Sequence, residues 1–98
     1  MVKRIIKFSA TWCAPCRAFA PTFHKVMENE KYKGIKFEEF DVEKDEVGEL
    51  YLEKYQIRNV PTTILLDEKD EVITKIMGNV SEDNFISIID EKMTNKTE

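Results

Sequence analysis

Thr11-Trp12-Cys13-Ala14-Pro15-Cys16-Arg17 constrains this chain more than any other stretch. It holds both cysteines of the protein, two residues apart, straight after the apolar run Ile5-Ile6-Lys7-Phe8. A helical pattern follows, with Ala18, Phe19, Phe23, Val26 and Met27 recurring at spacings of three and four. Strand, then C-x-x-C, then helix is the setting in which a cysteine pair carries redox chemistry. Only a thiolate attacks a disulfide, and an unperturbed thiol, with a pKa of about 8.5, is mostly protonated at neutral pH. A helix N-terminus offers Cys13 unpaired N–H groups and the positive end of the helix dipole. Cys16, about one turn further on, can attack a mixed disulfide formed at Cys13. Pro15 narrows the conformations of the loop, and Arg17 sets a cation beside the pair. Two other readings suit the residues less well. A zinc site needs about four ligands, and His24 is the only histidine, with no further cysteine. A permanent bridge across two residues closes too small a loop to add much stability.

The 98 residues make one domain, expected over 1–93 with a frayed tail over 94–98. With 42% hydrophobic and 35% charged residues, the composition is that of an ordinary globular chain. A net charge of −4 argues against a nucleic-acid binder, which needs clustered Lys and Arg. No apolar run approaches the length of a membrane span, so no membrane partner is expected. The N-terminal apolar run is broken by Lys7 and lacks the h-region of a signal peptide, which reads as a cytoplasmic chain. In a reducing compartment two cysteines are reactive groups rather than a staple. His24 lies about three turns beyond Cys13 and reads as a surface or half-buried helix residue away from the chemistry.

Residues 2–8 read as a strand and 13–30 as a helix containing Pro21. A charged second strand spans 35–42, and a helix over 45–55 places Val47, Leu50, Tyr51 and Tyr55 on one face. Residues 62–66 form a strongly apolar strand. The polar turn 67–70 returns 71–77 as its antiparallel partner. Ser81 caps a last helix whose stripe is Phe85, Ile88, Ile89 and Met93. The order β-α-β-α-β-β-α predicts an α/β fold: a mixed four-stranded sheet, its first two strands parallel, with helices on both faces.

Ser9-Ala10 together with the Cys stretch, Pro21, Asn59-Val60-Pro61-Thr62 and Gly78 stand in the order found in the thioredoxin family. The chain resembles that family over nearly its whole length. The resemblance implies a thioredoxin-like fold and a thiol–disulfide oxidoreductase, with Cys13 as nucleophile and Cys16 as resolving thiol. It implies protein disulfides as substrates and a flavin-dependent thioredoxin reductase using NADPH as partner. No bound cofactor or metal is expected, and the chain is expected to be a monomer. It also implies a cis Pro61 against the Cys pair, although the residues alone equally allow a trans proline at a strand start. The backbone of Val60 would then bind an extended substrate, and Trp12, Ala14, Val60, Pro61 and Gly78 would line a shallow apolar groove.

Three departures from the family stand out. Met1 begins almost at the first strand, without the family's usual preceding strand and helix. That would leave 35–42 as a sheet edge carrying Lys36, Glu38, Glu39 and Asp41. Ala14 replaces the usual Gly. Lys7 stands where the family commonly buries an Asp, and two readings are open. Lys7 pairs with Glu39 on the neighbouring strand and the two tune the thiols, or it snorkels to the surface. Two rival functions are a glutaredoxin-like protein recharged by glutathione and a binding module with incidental redox activity. Glutaredoxins typically carry Pro directly after the first Cys, where this chain has Ala14.

Overall fold

The apolar runs and turn signals resolve into eight short elements in a computed structural model, which describes residues 1–94. In chain order they are β1 (Arg4–Ser9), α1 (Ala14–Met27), a 3₁₀ turn (Glu30–Tyr32), β2 (Lys36–Asp41), α2 (Glu46–Lys54), β3 (Thr62–Leu66), β4 (Val72–Met77) and α3 (Glu82–Thr94). The strands form one sheet in the order β2-β1-β3-β4. β1 and β2 run parallel, and β3 is antiparallel to both β1 and β4. The central strands β1 and β3 are the most buried, since both of their faces are covered.

Alternation along β1 decides what each face holds. Ile5 joins Leu65 and Ile76 under Phe19, Phe23 and Val26 of α1 and Phe85 and Ile89 of α3. Ile6 and Phe8 join Ile64 and Leu66 on the opposite face, against Tyr55, Ile57 and the partly buried Tyr51 and Leu52. α1 and α3 therefore cover one face and α2 the other. Lys7 shares the parity of Ile5, which turns it under α1.

Several boundaries and faces differ from expectation. α1 stops at Met27, not residue 30, because Asn29 opens the 3₁₀ turn by accepting the Lys31 N–H at 2.9 Å. Ala18 is exposed, so the buried stripe of α1 is Cys16, Phe19, Phe23 and Val26. On α2 the expected face is rotated: Val47 and Leu50 are 45% and 69% exposed, and Gly48 is buried instead. The cause is a close approach to β2. A Cβ at Gly48 would lie 2.9 Å from the Phe40 Cβ and 3.3 Å from the Asp41 carbonyl oxygen. Ser81 caps α3 as expected, its Oγ accepting the Asn84 N–H at 3.1 Å. Thr94, placed in the expected tail, is the last residue of α3, its hydroxyl donating to the Asp90 carbonyl at 3.0 Å. Residues 95–98 of the expected tail lie outside the described residues.

Candidate active site

Cys13 is the N-cap of α1, with Ala14 and Pro15 opening the helix, where a missing proline N–H costs nothing. The two cysteines are joined as a disulfide, their Cα atoms 5.2 Å apart. The backbone N–H of Cys16 donates to the Cys13 Sγ at 3.1 Å. The same N–H would stabilise a Cys13 thiolate once the bond is reduced, because hydrogen bonds to the charged form favour it. Both cysteines are only 3% exposed, packed with Ala10 and flanked by Val42 and Val60. Trp12, 65% exposed, stands next to them, its indole N–H donating to Glu43 at 2.8 Å.

The chain returns to the pair at the start of β3. The Val60–Pro61 peptide bond is cis, and the Val60 carbonyl oxygen lies 3.6 Å from the Cys13 Sγ. Trp12 and Val60 line one pocket together with Val42, Leu52 and Ile57. Gly78 stands beside Pro61: its N–H donates to the Pro61 carbonyl at 2.8 Å, and its φ of +88° is one that side chains resist. Ala14 and Pro15 are exposed on the rim. The Arg17 guanidinium is turned back on the loop, donating to the Thr11 carbonyl at 2.8 Å.

A second pocket opens behind Cys16, lined among others by Lys7, Arg17, Glu39 and Asp41. Lys7 and Glu39 face each other across the parallel β1–β2 pair, with Nζ and Oε1 3.1 Å apart. The Lys7 side chain is 3% exposed, so it does not snorkel, and its Nζ lies 5.0 Å from the centre of the Phe23 ring. Burial works to raise the Glu39 carboxyl, yet hydrogen bonds and charge from Lys7 and His24 outweigh it and hold the group below its ordinary range.

The comparisons with known proteins agree with this geometry. The family model for thioredoxin matches residues 2–91. The chain belongs to the thioredoxin family. Thioredoxin Asp f 29 of Aspergillus fumigatus is 38% identical over 75 residues, covering 76% of this chain and 66% of that relative. Thioredoxin H5 of Oryza sativa subsp. japonica is 42% identical over 79 residues, covering 81% and 54%. This thioredoxin-family chain thus spans less than two thirds of the length of either relative. Among solved structures, the germline-specific thioredoxin Deadhead of Drosophila melanogaster superposes with a TM-score of 0.75 at 25% identity, covering 90% of this chain and 78% of its own. Among the described residues no helix is long and apolar enough to cross a membrane.

One contact at the site was not foreseen from the sequence. His24, expected as a surface or half-buried residue away from the chemistry, places its Nε2 2.7 Å from the Glu39 Oε2. The signal that finds it is helical spacing from Phe23, which packs over Lys7; the next residue along α1 then overhangs the edge strand.

Proposed function

We propose that this thioredoxin-family chain is a thiol–disulfide oxidoreductase that reduces protein disulfides. The observation that carries the reading is a Cys13 Sγ that accepts the Cys16 N–H at the start of α1 while lying against the Val60–Pro61 backbone. In the reduced state the Cys13 thiolate attacks one sulfur of a substrate disulfide. A new S–S bond forms, the substrate bond breaks, and the departing thiolate takes a proton. Cys16 then gives up its proton and attacks the Cys13 sulfur, releasing the second substrate thiol and leaving the Cys13–Cys16 disulfide. Two electrons and two protons pass to the substrate.

Trp12, Ala14, Val60, Pro61 and Gly78 serve in this reading as the substrate groove. The exposed Trp12 ring and the Val60 carbonyl beside the reacting sulfur support it. Lys7 and Glu39, with Pro15 and Arg17 at the loop, tune the pair. Their support is the shared pocket of Lys7, Arg17 and Glu39 behind Cys16 and the place of Pro15 in the first turn of α1. The oxidised protein is returned to its dithiol by a thioredoxin reductase drawing on NADPH, as befits a monomer working in a reducing cytoplasm.

Turnover of a disulfide-bonded test protein checks this reading, with thioredoxin reductase and NADPH or with glutathione as reductant. Reductase-driven turnover is expected, with Cys13→Ser inactive and Cys16→Ser accumulating a covalent complex with the substrate. Turnover with glutathione alone would assign the glutaredoxin-like role instead. Retained cellular function in the double Cys13→Ser, Cys16→Ser variant would make the chain a binding module.

A further inference from the structure

Glu39 bridges two basic side chains, one through each carboxylate oxygen. Its Oε1 meets the buried Lys7 Nζ at 3.1 Å and its Oε2 meets the half-exposed His24 Nε2 at 2.7 Å. The three residues come from three elements: β1, β2 and α1. They form a chain from the floor of the Cys16 pocket to solvent, with the His24 side chain 46% exposed at the outer end. Arg17 of α1 and Asp41 of β2 also line the pocket. The Arg17 charge is turned to the Thr11 carbonyl, and the Asp41 Oδ1 already accepts the Glu43 and Lys44 N–H groups. Among these groups, only an imidazole has an ordinary titration range near neutral pH.

We infer that His24 is a positioning residue for the second thiol exchange: by sharing Glu39 with Lys7, it sets how much of the Lys7 charge reaches the Cys16 sulfur. This rests on the disulfide-exchange reading above. With His24 neutral, Lys7 and Glu39 cancel. With His24 protonated, the cluster carries a net positive charge, because one carboxylate now faces two cations. That excess lies behind the sulfur that must become a thiolate, and it favours the anion. Protonated His24 therefore partly offsets the loss of Cys16 thiolate that acid imposes. His24 touches neither sulfur, and its effect passes through Glu39.

The test isolates resolution by Cys16. Cys13 is loaded with thionitrobenzoate as a mixed disulfide, and release of the coloured thiol by Cys16 is timed from pH 5 to pH 9 in wild type, His24→Gln and His24→Lys. Gln keeps a hydrogen-bond donor to Glu39 without a titrating charge, and Lys keeps a cation throughout. Wild type and His24→Gln should release at equal rates above about pH 8. Below about pH 6 wild type should be roughly two- to fivefold faster, the size of a partly screened single-charge effect. The advantage of His24→Lys over His24→Gln should persist at all pH values. A wild-type to His24→Gln ratio that does not change with pH overturns the role of His24 while leaving the exchange reading intact. Failure of wild type to release the thiol at any pH overturns the exchange reading itself.

Discussion

A lysine side chain that is 3% exposed needs a partner for its ammonium group, and at Lys7 that partner is the Glu39 carboxylate. The two ends of this pair are not equivalent. Glu39 is 37% exposed and keeps His24 and solvent if Lys7 is lost, whereas Lys7 without Glu39 is stranded under α1. Removing one partner of a buried pair is costly mainly through the charge left behind. Lys7→Met should therefore cost less than about 1 kcal/mol, and Glu39→Leu about 3 kcal/mol. The double variant should recover most of the difference, since no charge remains to be buried. Urea unfolding at neutral pH reads all three; equal losses in the two single variants would mean that Lys7 finds water in the adjoining pocket. The residues of this pair could be read from the chain because Lys7 interrupts an apolar strand six residues before Cys13. Their contact is only one of two readings that the chain leaves open, since it depends on a register that shifts a side chain to the other face with every one-residue slip. His24 was missed for a related reason: distance along the helix from Cys13 says nothing about what α1 overhangs on its other side.

Helix α2 shows how an edge element loosens the link between sequence pattern and packing. It lies against β2, the sheet's edge strand, and against Ile57 and Tyr55, so only a narrow strip of it is covered. Apolar periodicity suggested Val47 and Leu50 as part of that strip, yet a glycine decides the orientation by letting the backbones approach. Gly48→Ala tests this. On an open helix the change would gain about 1 kcal/mol in propensity. Here the new methyl meets the Phe40 Cβ at 2.9 Å and a backbone oxygen at 3.3 Å, neither of which can swing away. A net loss of about 1–2 kcal/mol is expected, as for overpacking elsewhere. A rise in melting temperature would show that α2 shifts outward freely. At the start of α3 the local code is simpler, because the Ser81 hydroxyl satisfies one of the first-turn N–H groups, that of Asn84. Ser81→Ala should cost about 1 kcal/mol in the same measurement.

Across the molecule, the Glu39 and Asp90 carboxylates each tie separate elements together, and both are held below their ordinary range. Glu39 joins β2 to β1 and α1. Asp90 joins α3 to the 3₁₀ turn, accepting from the Lys31 ammonium at 2.7 Å and the Tyr32 hydroxyl at 2.6 Å. Burial works to raise the Asp90 carboxyl, but these two hydrogen bonds and the Lys31 charge prevail and lower it. Burial, together with Asp90, pushes the Tyr32 hydroxyl the other way, keeping it a donor. A carboxyl that binds its proton less tightly in the folded state contributes stability above its unfolded pKa, about 4. That contribution is lost as pH falls through the lower folded value. Stability should thus decline on the acid side below about pH 4, as both ties are protonated. Asp90→Asn separates one tie from the other. Relative to wild type it should be less stable by about 1 kcal/mol at pH 6, a modest figure because Asp90 is 34% exposed. The gap should narrow as pH falls below about 4 and through the lowered folded value, where wild type loses the same charge. Urea midpoints taken across this range decide the matter: a gap that stays constant down to the lowest pH would mean that Asp90 acts through shape alone, and that the acid sensitivity of the fold arises elsewhere.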